Sequence, residues 1–313
     1  MLIGPDGRRI DYARISLTDR CRLACRYCIP DTFPGLCRQT DILAFDEIRL
    51  LIDILEGLGI TKFRFTGGEP FLRKGIIGFL ESLDIGGLYI TSSLAPRCLD
   101  IDRINGLGIK GINISLDTLV EEKYRWLTRG GDINRVIRNL MSIKADIVRI
   151  NTILIKGFND NEITDIIDFA LSIGAEPRFI EKMDFISDDL GFLPAGHIRE
   201  YLQREGIIEP ASFRPENSAA KYHRIKGSDA RVGFIAPVSE PFCDRCSKIR
   251  VKADGGLKPC LYGASSLNLR EMIRKGSSDA VISEKIRDVI AGSEKPAGQL
   301  PCITGEIMAS IGG

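Results

Sequence analysis

The sequence predicts a parallel α/β fold: an incomplete (β/α)6 TIM-like barrel over residues 1–183, covered by a C-terminal cap over residues 184–313. Three observations predict it. Strand-like and helical runs alternate about six times up to residue 183, the pattern of a parallel sheet. Thr66, Thr91, Ser115, Asn151 and Glu181 stand at the ends of the strand-like runs, where parallel barrels build their active face. A complete barrel takes eight units in roughly 250 residues, so six in about 180 leave an opening that needs a cover.

The elements follow in order. Ala13-Arg14-Ile15-Ser16 reads as the first strand. Ile48, Leu51, Ile52 and Leu55 recur at i, i+3, i+4 and i+7, the mark of a helix with one buried face. Gly59 then stops that helix, and Ile60 to Phe65 reads as a strand. Leu88 to Thr91 is a further strand, and Gly108 precedes another at Gly111 to Ser115. Ile147 to Asn151 reads likewise, and Ile163, Ile166, Ile167 and Ala170 repeat the helical period. Gly174 precedes the sixth strand, Glu176 to Ile180. From about Asp184 the alternation fades, and the region after Ala230 reads as the smaller cap.

Composition excludes several classes. With 313 residues, 44% hydrophobic and 27% charged, the chain has enough apolar material for a large core. Lys and Arg number 43 against 42 Asp and Glu, a formal net charge of +1. That balance argues against gripping nucleic acid through bulk phosphate attraction. No run of about 18 apolar residues occurs, so no membrane-spanning helix is expected. Met1 to Ile10 carries Arg8 and Arg9 with no apolar run behind them, so no secretory signal is expected and the cytoplasm is the expected compartment.

Nine cysteines stand at 21, 25, 28, 37, 98, 243, 246, 260 and 302. An odd number in a chain with no export signal argues against a disulfide framework. Six of the nine form two tight groups, which reads as metal ligation. Cys37, Cys98 and Cys302 are scattered, and small buried apolar residues are their ordinary reading. Cys21, Cys25 and Cys28 are spaced C-x3-C-x2-C. Three thiolates on one short loop bind three irons of a four-iron cluster and leave the fourth iron open to a small molecule. Zinc is the alternative; it needs a fourth ligand, and neither His197 nor His223 is close in sequence. Cys243, Cys246 and Cys260 are spaced C-x2-C-x13-C and again supply three ligands, with a zinc ribbon completed by Cys302 or His223 as the alternative. Lys248 and Arg250 follow Cys246 closely and bring cations beside that metal, which suits a phosphorylated or purine substrate.

The first group, with Tyr27 before its last cysteine, resembles the signature of the radical S-adenosylmethionine (SAM) superfamily. Thr66-Gly67-Gly68-Glu69-Pro70 is similar to that superfamily's segment for the SAM amino group: glycine admits a close ligand, and a carboxylate or carbonyl accepts from an ammonium. The whole length, from Ile15-Ser16-Leu17-Thr18-Asp19-Arg20-Cys21 through Gly233 to Ser239 and Ile311-Gly312-Gly313, resembles the GTP 3′,8-cyclase family of molybdenum cofactor biosynthesis. The resemblance implies two 4Fe–4S clusters and SAM as cofactors. It implies a 5′-deoxyadenosyl radical that takes the ribose 3′ hydrogen of GTP, after which the sugar carbon attacks guanine C8. The product is 3′,8-cyclo-7,8-dihydro-GTP.

By the same resemblance, Cys21, Cys25, Cys28, Cys243, Cys246 and Cys260 ligate the clusters. Tyr27, Gly67, Gly68, Glu69, Ser115 and Met183 contact SAM, and Arg14, Arg64, Thr91, Arg149, Lys248, Ile249 and Arg250 contact GTP. The double-glycine tail, Gly312-Gly313, reaches the active site. The implied partners are an electron donor, a downstream cyclic pyranopterin monophosphate synthase and a second copy of the chain in a homodimer. Three positions depart from the family pattern: Thr91-Ser92-Ser93-Leu94 replaces Thr-Thr-Asn-Gly, Ser247-Lys248 replaces Asn-Arg, and Arg149 replaces a Lys. Two other readings stand beside this one. The first is a radical SAM enzyme that modifies a peptide or another nucleotide with an auxiliary cluster. The second is a non-catalytic module stabilised by metal.

Overall fold

The computed structural model describes residues 1–30, 37–186, 188–215, 218–293 and 308–312. Cys302 and Gly313 lie outside the described residues. All six expected strands form: β1 (Tyr12–Ser16), β2 (Lys62–Thr66), β3 (Leu88–Ser92), β4 (Gly111–Ser115), β5 (Val148–Lys156) and β6 (Glu176–Glu181). They pair in parallel and in sequence order. The two periodic stretches are helices, α1 (Phe45–Gly57) and α6 (Ile163–Ser172). Between them lie α2 (Ile76–Glu81), α3 (Ile101–Gly106), α4 (Glu121–Leu127) and α5 (Ile133–Ser142). Gly59 and Gly174 take φ of 92° and 70° just past α1 and α6, the left-handed turn that ends a helix at low steric cost. Helix α1 buries Ile48, Leu51, Ile52, Ile54 and Leu55, each contributing on the order of 1.5–3 kcal/mol of hydrophobic stabilisation.

The region after Ala230 does more than cover the opening. After β7 (Ile208–Phe213) and β8 (Lys221–Ile225), β9 (Arg231–Ile235) pairs in parallel with β6. At the other edge β10 (Lys248–Val251) pairs in parallel with β1, followed by β11 (Gly256–Lys258) and β12 (Leu267–Asn268). The sheet order is β7-β8-β9-β6-β5-β4-β3-β2-β1-β10-β11-β12, and it does not close. Both barrel edges are thereby paired by C-terminal strands instead of standing as exposed templates. The apolar packing is equally continuous: Ile249, Val251, Leu257, Ile282 and Ile286 join the core beneath β1 to β5, and Val232 and Phe234 join the one around β6 and α6.

Strand parity positions the site. In β1 and β2, Ala13, Ile15, Phe63 and Phe65 face the helices, while Tyr12, Arg14, Lys62, Arg64 and Thr66 line the interior. A period of two places these sets on opposite faces. The interior is therefore an open chamber with charged side chains in its wall, where a complete barrel carries packed aliphatic layers. Among the described residues no helix is long and apolar enough to cross a membrane.

Candidate active site

One chamber of about 610 Å³ is lined by both cysteine trios, a volume in the range of small-molecule sites. The first trio sits on the loop after β1. Leu23 is buried in the core, and Cys28 N and Ile29 N both donate to Cys25 O at 2.8 and 2.9 Å, which coils the loop tightly. Tyr27 donates from its hydroxyl to Asp117 Oδ2 at 2.6 Å, and Asp117 Oδ1 accepts from Ile153 N at 2.8 Å. Burial pushes the Asp117 carboxyl up to about 6 and, with Glu69 nearby, the Cys21 thiol up to about 11.

Gly67 and Gly68 are required by backbone contact. A Cβ at Gly67 would stand 2.5 Å from Thr18 O, and one at Gly68 2.4 Å from Arg20 O. Gly68 N donates to Thr18 O at 2.7 Å and Glu69 N to Arg20 O at 2.8 Å, so this segment is zipped to the chain entering Cys21. A carboxylate or a carbonyl of this segment is the expected acceptor for an ammonium, and the Glu69 side chain is otherwise engaged. Its carboxylate is buried outside the chamber lining and accepts from Ser92 Oγ (2.8 Å), Ser93 N (2.8 Å), Ser93 Oγ (2.6 Å) and Phe71 N (3.2 Å). Two departures from the family pattern, Ser92 and Ser93, are thus the partners of this carboxylate. Leu94 keeps the turn at φ 53°, held by Leu94 N donating to Ser92 Oγ and by Asn139 Nδ2 donating to Leu94 O, each at 2.9 Å.

The second trio is assembled by strand register. Cys243 and Cys246 flank a short turn before β10, and the antiparallel pair Arg250↔Lys258 folds β11 back so that Cys260 returns beside them. None of the eight described cysteines is in a disulfide. Among the described residues no three His, Cys, Asp or Glu side chains gather as ligands of a single metal ion, which mononuclear zinc requires. A four-iron cluster places each thiolate on its own iron, so its three thiolates stand farther apart than the ligands of one ion. His223, the expected alternative ligand, is buried at Glu209 O (2.9 Å from Nδ1) and does not line the chamber.

Between the trios the lining is strongly cationic. Arg14, Arg64, Arg149, Lys248 and Arg250 all face it, as expected, together with Thr91, Ser115 and Met183. Ile249 does not: it alternates away from Lys248 and Arg250 and is fully buried in the core, so its expected place at the substrate is corrected. Lys62 and Arg178 also line the chamber and escaped the sequence reading, although Lys62 shares the parity of Arg64. Arg64 donates to Tyr12 Oη (2.6 Å), Ile90 O (2.5 Å) and Thr91 Oγ1 (3.4 Å). Arg149 pairs with Glu176 at 2.8 Å, and Arg178 donates from Nε to Tyr222 Oη at 2.6 Å. Lys62 Nζ lies 4.9 and 4.4 Å over the rings of Tyr12 and Tyr89.

Crowded positive charge perturbs this region. Burial and the Arg250 charge lower Arg14 to about 9, and burial lowers Lys62, Lys248 and Arg250. Burial alone would raise Tyr12, yet Arg64, Arg14, Lys248 and Lys62 pull its phenol down to about 7. The C-terminal tail enters here too: Gly312 O accepts from Arg14 Nη2 (3.0 Å) and Arg250 Nη1 (3.3 Å). At φ 83°, with a Cβ that would meet Thr66 Cγ2 at 2.6 Å, that position favours glycine.

Fold and chamber together define a radical SAM protein, and the chain matches the Radical SAM superfamily over residues 15–170 and Molybdenum Cofactor Synthesis C over residues 175–298. It is 37% identical over 290 residues to the GTP 3′,8-cyclase of Syntrophomonas wolfei subsp. wolfei, covering 88% of each chain. Identity and coverage are the same for the GTP 3′,8-cyclase of Moorella thermoacetica. The chain belongs to the GTP 3′,8-cyclase family. Its fold is similar to that of Streptococcus suis SuiB, solved bound to S-adenosylmethionine, with a TM-score of 0.59 and 16% identity. That match covers 89% of this chain and 66% of the SuiB chain, so the chain spans about two thirds of SuiB's length. It is an enzyme of the radical SAM class, and membership implies a 4Fe–4S cluster and SAM.

Proposed function

We propose that this chain converts GTP to 3′,8-cyclo-7,8-dihydro-GTP for molybdenum cofactor biosynthesis. One observation carries the reading: two cysteine trios and a cationic wall open on a single chamber. The fit to the implied groups rests on the same walls, where three thiols stand at each end of the chamber lining. Cys21, Cys25 and Cys28 would hold the cluster that binds SAM, and Cys243, Cys246 and Cys260 a second four-iron cluster that binds the guanine. When bound, the first cluster would pass one electron to SAM, releasing methionine and a 5′-deoxyadenosyl radical for the ribose 3′ hydrogen; closure of the sugar carbon on guanine C8 would then take one further electron and a proton to give the dihydro product.

The chain's own residues bind and orient. Tyr27, Gly67, Gly68, Ser115 and Met183 border the SAM end. Glu69 positions that end by tying the close of β2 to the turn after β3. Arg14, Lys62, Arg64, Thr91, Arg149, Arg178, Lys248 and Arg250 surround the nucleotide, and guanidinium forks suit a triphosphate. Residues 1–183 would then generate the radical and residues 184–313 hold the purine end. The cations of this wall outnumber the carboxylates among them, which favours a triphosphate over a peptide, so the nucleotide is the better reading. An electron donor, a downstream cyclic pyranopterin monophosphate synthase, a cytoplasmic setting and a homodimer complete the proposal. Anaerobic incubation with SAM, GTP and reductant tests it: a pterin after acid oxidation is expected, and unconsumed GTP beside turnover of another substrate would reject it.

A further inference from the structure

Each cysteine loop is gripped by an arginine remote from it in sequence. At the first, Arg129 donates from Nη1 to Ala24 O (2.9 Å) and Ile29 O (2.8 Å), the residues flanking the Cys25–Cys28 turn. Arg129 sits between α4 and α5 at φ 54°, a left-handed conformation uncommon for a side-chain-bearing residue. At the second, Arg8 donates from Nη1 to Cys243 O (2.9 Å) and Cys246 O (3.1 Å).

The N-terminal hairpin aims Arg8 there. Leu2–Ile3 pairs antiparallel with Arg9–Ile10, and Leu2 and Ile10 are buried in the core. Gly4 N donates to Arg8 O at 2.9 Å, and a Cβ on Gly4 would stand 3.0 Å from Arg8 Nε, so the turn packs its backbone against the guanidinium. Asp6 Oδ1 lies 3.2 Å from the same Nε. The Arg8 side chain is 14% exposed and lines the chamber. Both bonds go to the carbonyls of cysteines in the trio, so loss of Arg8 frees the turn that carries two thiols.

We infer that Arg8 is a positioning residue for the second cysteine trio, and that the N-terminal hairpin is the clamp that holds Cys243 and Cys246 in place. The inference rests on the reading of that trio as cluster ligands. A charge-assisted donor on the carbonyl of a ligating residue fixes where its thiol points and places positive charge beside an anionic cluster.

The test uses full-length chains reconstituted anaerobically with iron and sulfide in two backgrounds. C21S/C25S/C28S leaves only the second trio, and C243S/C246S/C260S only the first. In the first background, Arg8→Gln is expected to lower iron retention against a chelator on the order of 10- to 100-fold. It should also alter the electron paramagnetic resonance (EPR) spectrum of the reduced cluster, with Arg8→Lys intermediate. In the second background Arg8→Gln should change neither readout, which also shows that the variant folds, whereas Arg129→Gln should change both. Unchanged iron retention and spectrum in the first background, or equal damage in both, would overturn the inference. If the first background binds no iron with Arg8 intact, the second cluster itself is refuted and the inference falls with it.

Discussion

The two cysteine loops serve one chamber but are built in different ways. The first is local: eight consecutive residues after β1 carry all three thiols, and the loop leans on Gly67 to Glu69 and on Thr128, which accepts from Ala24 N at 3.2 Å. The second is assembled from afar. Its third cysteine arrives through the β10–β11 register, and its turn is held by Arg8, 235 residues from Cys243. A contiguous loop sets the spacing of its thiols by itself and takes only support from Arg129, whereas an assembled one inherits every weakness of the elements that meet there. The difference also separates two proposed tasks, breaking SAM and presenting the purine.

The largest effect tests that separation. Replacing Cys21, Cys25 or Cys28 with Ser should abolish 5′-deoxyadenosine formation altogether, because the electron-transferring cluster is lost. Replacing Cys243, Cys246 or Cys260 should leave the first cluster spectroscopically intact while product from GTP disappears. Identical behaviour of the two sets would erase the distinction. Next in size is Gly68→Ala, whose Cβ would collide with Arg20 O at 2.4 Å, a backbone atom with no rotamer to yield. It should displace the first loop at about 1–3 kcal/mol and deplete iron at the first trio more than at the second, read in the two background chains.

Arg250→Ala probes the other end. Loss of charge-assisted hydrogen bonds of about 1.5–3 kcal/mol should weaken GTP on the order of 10- to 100-fold. SAM affinity should stay unchanged, and calorimetry of both ligands decides. Equal losses would place Arg250 in general support of the chamber. The smallest effect on ligand binding belongs to Ser93→Ala, which removes one donor to the buried Glu69 carboxylate. About 1.5–3 kcal/mol of stability should be lost in urea unfolding, with GTP affinity unchanged.

Much of this was legible before the structure. The 3.6 period marks two helices and short β-prone runs mark six strands, three of them after a glycine that ends the preceding segment. What sequence patterns hide is pairing between distant strands, so β9 and β10 read as a cap although they extend the barrel sheet at both edges. The trios were visible as spacing, and parity explains both kinds of error around them. Alternation sends Ile249 to the core between its basic neighbours and puts Lys62 on the face of Arg64. Glu69 and Arg8 carried no spacing signal for their partners. Ser92, Ser93 and Cys243 become neighbours only when the chain folds.

Ligand-dependent EPR of the two reduced background chains tests the shared chamber most directly. Addition of GTP should shift the signal of the C21S/C25S/C28S chain, and addition of SAM that of the C243S/C246S/C260S chain, with no crossed response. A second-trio signal indifferent to GTP, or zinc in place of iron there, would contradict a chamber in which one nucleotide lies between two clusters.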